Sequence, residues 1–456
     1  MTDTKTNKDL SCSYSYANIL QKAWPIILAN AAVPLLGFVD TAIIGNLGTT
    51  VDLGAIALGS LIFSFVYLSF AFLRMSTSGF ASQALGKGSE AEIREVLGRG
   101  LFISLILGFL LILLQNQIGH LALSLLSGSE SVEKIVKSYF EIRIFGAPAT
   151  LTMFVLTGIL VGLGSSRLLL VSQVFLNFLN ILFDLILAGT FNMGAVGIAY
   201  GTLGAEWLSV VFTGILVFRT LKKRDLSLHV FFDWPSIFNA KKIKQTLSAS
   251  SDIMIRTLCL LFCFSFFTNQ SSLFGDNTLA ANHILLQMIS FCAFFLDGYA
   301  FVSESLVGRA IGASDRVSYL LAVKRSSVLS FATAALLALA LFFFGNKLLF
   351  LLTDLEAVRT KASLLLPYAS LYVFISFAAY LLDGIFIGAA QTRAMMLASL
   401  LSAAFFLFSY YFILKPYGVF GLWWAFIFYV LARAFSLLIF FKDIHKKFTI
   451  PYHPDK

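Results

Sequence analysis

Asp40, in V-P-L-L-G-F-V-D-T-A-I-I-G, and Asp184, in N-F-L-N-I-L-F-D-L-I-L, are carboxylates set inside apolar runs long enough to cross a bilayer. A charge at that depth is costly, so such a group normally faces a polar cavity and marks an ion or substrate path. The chemistry suggested is transport coupled to protonation or cation binding; the competing reading is a pair of neutral, hydrogen-bonded structural acids. Gln173, Asn177, Asn180 and Asp184 recur at helical spacing and share one helix face. Thr202, Glu206, Ser209 and Thr213 repeat the pattern in the next apolar run. Two polar stripes inside lipid must turn toward each other or toward a hydrated cavity, because polar side chains facing acyl chains would lose their partners. For Ser209 and Thr213, plain interhelical hydrogen bonding is an equal reading.

The elements that carry these residues are read from composition. Of 456 residues, 58% are hydrophobic and only 12% charged, against roughly 25% charged in soluble domains. Apolar stretches of the length a helix needs to span the hydrocarbon core recur along the chain. Twelve are expected, centred near residues 32, 66, 108, 150, 178, 205, 258, 292, 334, 374, 403 and 430. The fold class is therefore an all-α membrane protein. The polar first residues give no cleavable signal, and the largest basic cluster, Arg219, Lys222, Lys223, Arg224, Lys241, Lys242 and Lys244, lies between spans six and seven. By the positive-inside rule that loop and both termini are expected in the cytoplasm. The net charge of +9 is then mostly topology, and no nucleic-acid partner is implied. The spacings of Cys12, Cys259, Cys263 and Cys292 and of the five histidines show no zinc or H-E-x-x-H pattern, which gives no support to a metalloenzyme.

The chain also repeats itself. At one constant offset Leu53, Ala55, Ala84, Gly86 and Arg99 align with Leu279, Ala281, Ala310, Gly312 and Arg325, and G-I-L-V-G-L-G-S-S-R from Gly158 aligns with G-I-F-I-G-A-A-Q-T-R from Gly384. This predicts two six-helix bundles, residues 1–220 and 245–456, joined by a basic linker over residues 221–244. An even number of spans per repeat keeps both halves in one orientation. The halves differ where chemistry is expected: Phe266 stands opposite Asp40, Phe406 opposite Asn180 and Tyr410 opposite Asp184. The cation site is accordingly placed in the N-terminal half. Pro25 and Pro34 precede Asp40 in the first span and permit a bend there, a candidate hinge.

The second half has acids of its own. Asp252 and Arg256 stand one turn apart and read as a structural ion pair. Asp297, Glu304 and Asp383 face mostly neutral residues in the repeat, and are candidate contacts for substrate or ion along the cavity. Arg74, near the middle of a span, calls for an acidic partner or backbone carbonyls.

Four segments together resemble the multidrug and toxic compound extrusion (MATE) family, and its DNA-damage-inducible F (DinF) branch in particular. They are V-D-T-A-I-I-G-N-L-G from Val39, F-L-R-M-S-T-S-G-F-A-S-Q-A-L-G from Phe72, L-D-G-Y-A-F-V-S-E-S-L-V-G-R-A-I-G from Leu296 and D-G-I-F-I-G-A-A-Q-T-R from Asp383. The resemblance implies twelve helices in two bundles forming a V. It further implies export of organic, often cationic or amphipathic, compounds across a bacterial inner membrane in exchange for protons or sodium ions, by a monomer without a bound cofactor. It carries a cation site onto Asp40, Asn180, Asp184 and Thr202, with Tyr139 lining the cavity. Thr157 stands where relatives are expected to have an amide, which lowers the number of sodium ligands and tilts the choice toward the proton. A lipid-linked oligosaccharide flippase of the same superfamily is the alternative, although additional helices and a cationic cavity would be expected of one. Membrane hydrolases are disfavoured by the absence of G-x-S-x-G, Walker A and zinc motifs, and the major facilitator family by the loop G-K-G-S-E-A-E-I-R-E.

Overall fold

Residues rich in Leu, Phe, Ile and Ala with no water to bond their backbone can satisfy it only by helix formation, and helix is what the chain forms. The structure is a computed structural model and describes residues 14–47, 49–125, 130–224, 232–446 and 448. The helices are α1 (Tyr16–Leu47), α2 (Thr50–Ser69), α3 (Phe72–Gly86), α4 (Glu90–Leu113), α5 (Gln115–Leu125), α6 (Glu130–Arg143), α7 (Ala147–Gly162) and α8 (Ser166–Asp184). They continue as α9 (Gly194–Arg224), α10 (Trp234–Ile237), α11 (Ala240–Ser272), α12 (Asp276–Gly312), α13 (Arg316–Leu352), α14 (Glu356–Gly388), α15 (Thr392–Ser409) and α16 (Gly418–Lys446). Among the described residues, 10 helical runs are long and apolar enough to cross a membrane. One of them, Thr392–Ile444, has 53 residues and turns at Gly418 (φ +59), so α15 and α16 pack side by side as two spans. With α1, 32 residues long, the spans number twelve. Every centre expected from the sequence falls within one of these helices or at its junction with the next.

Chain contacts divide the molecule into two units. One holds residues Leu28–Leu85 and Ser89–Leu247, the other Met1–Ile27, Gly86–Gly88 and Ser248–Lys456. The division in α1 falls just after Pro25, yet α1 is one continuous helix through Pro25 and Pro34. The Pro34 side chain is outside the described residues.

Within the first unit, α7 lies on α3 through Gly158 and Gly162. A Cβ at Gly158 would stand 2.7 Å from the Arg74 carbonyl oxygen, and one at Gly162 2.8 Å from that of Ser78. The second unit repeats the contact with α14 on α12: Gly384 lies against the Ala300 backbone and Gly388 against that of Glu304. Small residues four apart let helices approach closely where lipid supplies no hydrophobic drive between them. Ala300 and Glu304 are the repeat counterparts of Arg74 and Ser78, so the same seam is built twice.

Two local devices position the first unit's helices. Thr49 and Asp52 cap α2 reciprocally, Thr49 N donating to Asp52 at 3.0 Å and Asp52 N to Thr49 Oγ1 at 3.2 Å. The same carboxylate accepts from Ala195 N at 3.2 Å, tying the start of α9 to the start of α2. At the basic linker, Arg224 grips Glu90 in a forked contact of 2.8 and 2.9 Å, Lys242 pairs with Glu95, and Ile237 of α10 fills the notch left by Gly98 on α4. Linker residues 225–231 are outside the described residues.

Candidate functional site

The polar stripes predicted on α8 and α9 meet. Asn180 Nδ2 donates to Thr202 Oγ1 at 2.9 Å, and Thr202 passes its own proton to the Ile198 carbonyl at 2.9 Å. One turn earlier Gln173 donates to Asn177 Oδ1 at 3.3 Å, and Asn177 Nδ2 reaches the Ala32 carbonyl of α1 at 3.0 Å. These bonds hold α8 between α9 and α1 and bring Asp184 to Asp40. The two carboxyl groups lie within hydrogen-bonding reach of each other. Asp184 and Asn180 are fully buried, and Asp40 is partly so.

No hydrogen-bond donor among the described residues reaches Asp40 Oδ1, Asn180 Oδ1 or either oxygen of Asp184. Two carboxyls in contact and away from donors need a proton between them or a cation beside them, since buried charge without compensation is unstable. Asp40, Asp184, Asn180 Oδ1 and Thr202 Oγ1 are also the oxygens a sodium ion would use.

Arg143, a buried arginine within electrostatic reach of the two acids, is engaged elsewhere. Arg143 Nη1 donates to Glu206 Oε1 at 2.8 Å, with side chains only 9% and 11% exposed. Glu206, expected from the sequence on a polar stripe along the cavity, is an ion-paired residue, and Gly146 leaves the space its second oxygen occupies. Arg143 stands 5.1 Å over the Phe63 ring and within electrostatic reach of both Asp40 and Asp184. Tyr139, on α6, is buried edge-on to Phe63 at 6.3 Å and packs on Gly59, within electrostatic reach of Asp40. Thr157 donates its hydroxyl proton to the Met153 and Phe154 carbonyls at 2.8 and 3.0 Å, so its proton is committed to its own helix. Ser209 and Thr213 continue the α9 stripe fully buried, and neither hydroxyl finds a partner among the described residues, which does not favour the reading of them as hydrogen-bond glue.

Close packing sets this geometry. Gly197 lies against the backbone of Leu187 and Ala188, Gly201 against the Asp184 carboxylate and Gly204 against the Phe183 ring, all on the α8-facing side of α9. Directly after Asp184 the backbone widens into a π-helical segment, Leu185–Thr190. A second one, Tyr410–Leu414, begins at the repeat counterpart of Asp184. There Phe266 packs edge-on against Phe406 at 5.4 Å and Tyr410 at 5.6 Å. The three aromatic counterparts of Asp40, Asn180 and Asp184 thus cluster as their polar equivalents do, with opposite chemistry.

The second unit's acids are arranged differently from the sequence expectation. Arg256 pairs with Asp383 across the helices, and Arg433 of α16 pairs with the same carboxylate oxygen. Asp252 instead accepts a hydrogen bond from Thr392 at 2.8 Å. The short helical spacing of Asp252 and Arg256 is overridden because a guanidinium on a long stem reaches a buried carboxylate that has more need of it. Asp297 is within electrostatic reach of both arginines, and the fully buried Glu304 of Arg256. These residues form one buried charge network.

Sequence reasoning did not single out Arg143, Arg433 or Gly201. Arg143 ends the polar α6 and reads as a charge at a span boundary; the glycine spacing Gly194, Gly197, Gly201, Gly204 was the available signal for the third.

A family model described as MatE matches residues 25–186 and again 253–412. DNA damage-inducible protein F of Escherichia coli is 34% identical over 418 residues, 91% of this chain and 89% of that one. A probable multidrug resistance protein NorM of Acinetobacter baylyi is 26% identical over 76% of this chain and 78% of its own length. Among solved structures, a variant of the Vibrio cholerae MATE transporter VcmN superposes with a TM-score of 0.86 at 19% identity, covering 97% of this chain and 100% of that one. A MOP superfamily transporter from Pyrococcus furiosus gives 0.83 at 19% identity, covering 96% and 98%. Matched twice by one model along its two repeats, and aligned with the Escherichia coli protein over nearly its whole length, this multi-pass membrane protein belongs to the MATE family of multidrug efflux transporters, on its DinF branch.

Proposed function

We propose that the chain is a proton-coupled antiporter that exports organic, cationic or amphipathic compounds across a bacterial cytoplasmic membrane, with both termini in the cytoplasm. One observation carries the reading: among the described residues no donor reaches Asp40 Oδ1 or either Asp184 oxygen, the two carboxyls lie within reach of each other, and Arg143, a buried arginine in electrostatic reach of both, is engaged by Glu206. In this reading the acid pair lacks an ion-pair partner of its own among the described residues, and its compensation comes and goes. A proton meets that need with one carboxyl alone, whereas sodium requires both acids ionised and several neutral oxygens. Thr157, with its proton turned to its own helix, adds no amide oxygen to that set.

In this reading Asp40 and Asp184 load the proton, Asn180 and Thr202 fix their geometry, and Asn177 ties α8 to α1. Tyr139 lines the substrate path, its ring and that of Phe63 suiting flat cationic compounds through stacking and cation–π attraction. Asp297, Glu304 and Asp383 shape the path in the second half, Pro25 and Pro34 provide the hinge, and the bundles are residues 1–220 and 245–456, acting as a monomer.

The test is drug efflux by the purified protein in proteoliposomes, driven separately by a proton and by a sodium gradient. The reading expects transport from the proton gradient alone. Transport from the sodium gradient alone would transfer the same site to sodium, and no gradient-driven transport of any organic cation would remove the antiporter assignment.

A further inference from the structure

The chain connecting the third and fourth spans folds into the short amphipathic helix α5, and two hollows open on its adjacent faces. The first, about 130 Å³, is mixed in character: Gln115, Asn116 and His120 of α5 and Lys137 and Glu141 of α6 share its wall with apolar side chains. The second, about 370 Å³, is lined wholly by apolar side chains, among them Leu61 and Phe65 of α2 and Ile118, Leu121 and Ala122 of α5. Ile62 borders both, so a cavity with charged and amide groups on its wall and an apolar slot adjoin. Leu113 and Leu121 beside them are 75% and 62% exposed, and α6 carries its charges up to Arg143, where the apolar span begins. A polar face meeting an apolar one at the end of a span is the arrangement of a helix lying in the membrane interface.

Lys137 and Glu141 form an exposed pair at 4.0 Å, side chains 70% and 54% accessible. Such a pair contributes little to stability and opens readily. Its two signs lie side by side on the wall of the mixed cavity, which the amides of Gln115 and Asn116 also line. An anionic headgroup would gain Lys137 but meet Glu141. A zwitterion whose cation can donate hydrogen bonds satisfies both charges, and the slot receives a hydrocarbon chain attached to it.

We propose that the two hollows form one binding site for a zwitterionic amino-phospholipid. Its phosphate lies against Lys137 and the amides of Gln115 and Asn116, its primary ammonium against Glu141, and one acyl chain fills the slot between α2 and α5. The site is separate from Asp40 and Asp184 and does not depend on which ion the protein couples to.

Native mass spectrometry of the purified full-length protein, titrated with phosphatidylethanolamine, phosphatidylcholine and phosphatidylglycerol of identical chains, tests this. The wild type should hold the ethanolamine lipid about fivefold more tightly than either of the others, a preference of the size expected from charge-assisted headgroup contacts. Glu141→Gln should erase the preference over phosphatidylcholine. Lys137→Gln should weaken both zwitterionic lipids, and Ala122→Phe should weaken all three while leaving their ratios unchanged. Lys361→Gln, at an exposed lysine of α14 that lines neither hollow, should change nothing. Both charge variants alter exposed side chains, so unchanged melting in lipid-free detergent verifies their folding. Equal binding of the three lipids by the wild type, or a preference that survives Glu141→Gln, means ordinary annular lipid and overturns the proposal.

Discussion

Among the described residues no hydrogen-bond donor meets either carboxylate oxygen of Asp184, and the carboxyl of Asp40 lies within hydrogen-bonding reach of it. The acids come from α1 and α8, far apart in the chain, and Asn177 reaching the Ala32 carbonyl at 3.0 Å keeps those helices in register. Where a buried arginine would normally stabilise such a pair, Arg143 is held 2.8 Å from Glu206.

Replacing either acid by its amide removes the titrating group while keeping its shape. Asp40→Asn and Asp184→Asn should each fold normally and lose gradient-driven efflux in proteoliposomes, and Asn180→Ala should weaken coupling more than Asp297→Asn does. Wild-type transport by the Asp40 variant would remove the site from the mechanism.

The coupling ion can be read from one protocol. Efflux should follow a pH step in sodium-free buffer and respond hardly at all to sodium added at fixed pH. A sodium requirement that disappears in both Asp40→Asn and Asp184→Asn would reverse the choice of ion.

Gly201 sits on the Asp184 carboxylate with no room for a Cβ, whereas a Cβ at Gly204 would stand 3.3 Å from the Phe183 ring. Gly201→Ala should therefore push Asp184 away from Asp40 and reduce efflux about ten- to a hundredfold, the cost of a small misplacement at a reacting group. Gly204→Ala should have a much smaller effect, since a ring edge can yield. Comparable rates in the two variants would show that the Asp184 position is not critical.

In the second unit, Asp383 compensates both Arg256 and Arg433. Asp383→Asn should lower stability by about 3–5 kcal/mol, because removing one member strands the others as buried charges. Pairing it with Arg433→Gln should restore part of the loss in thermal melts. Additive losses would mean that the residues do not act as one network.

The Arg143 and Glu206 pair calls for the same cycle with a transport readout. Each single change, Arg143→Gln or Glu206→Gln, should be more harmful than the two together. Glu206→Gln should further shift the pH profile of efflux, because it frees Arg143 to compensate the Asp40 and Asp184 pair. An unmoved profile would leave Arg143 a purely structural role.

Length, apolar content and spacing determined the spans, the repeat and the polar stripes of α8 and α9, because bilayer thickness and helical periodicity are local constraints legible in any stretch of chain. They also singled out Asp40, Asn180 and Asp184 by contrast with Phe266, Phe406 and Tyr410, and both triads occupy matching places in their units. Tertiary structure decided the pairing of charges. Asp252 and Arg256 stand one turn apart in sequence, yet Arg256 pairs with Asp383, and Glu206, which the sequence places only on a polar stripe, pairs with Arg143. Long side chains inside lipid choose partners by reach and by the cost of leaving a charge uncompensated, and both depend on which helices pack together. The vacancy beside Gly201 that admits the Asp184 carboxylate likewise exists only once α8 and α9 are in contact.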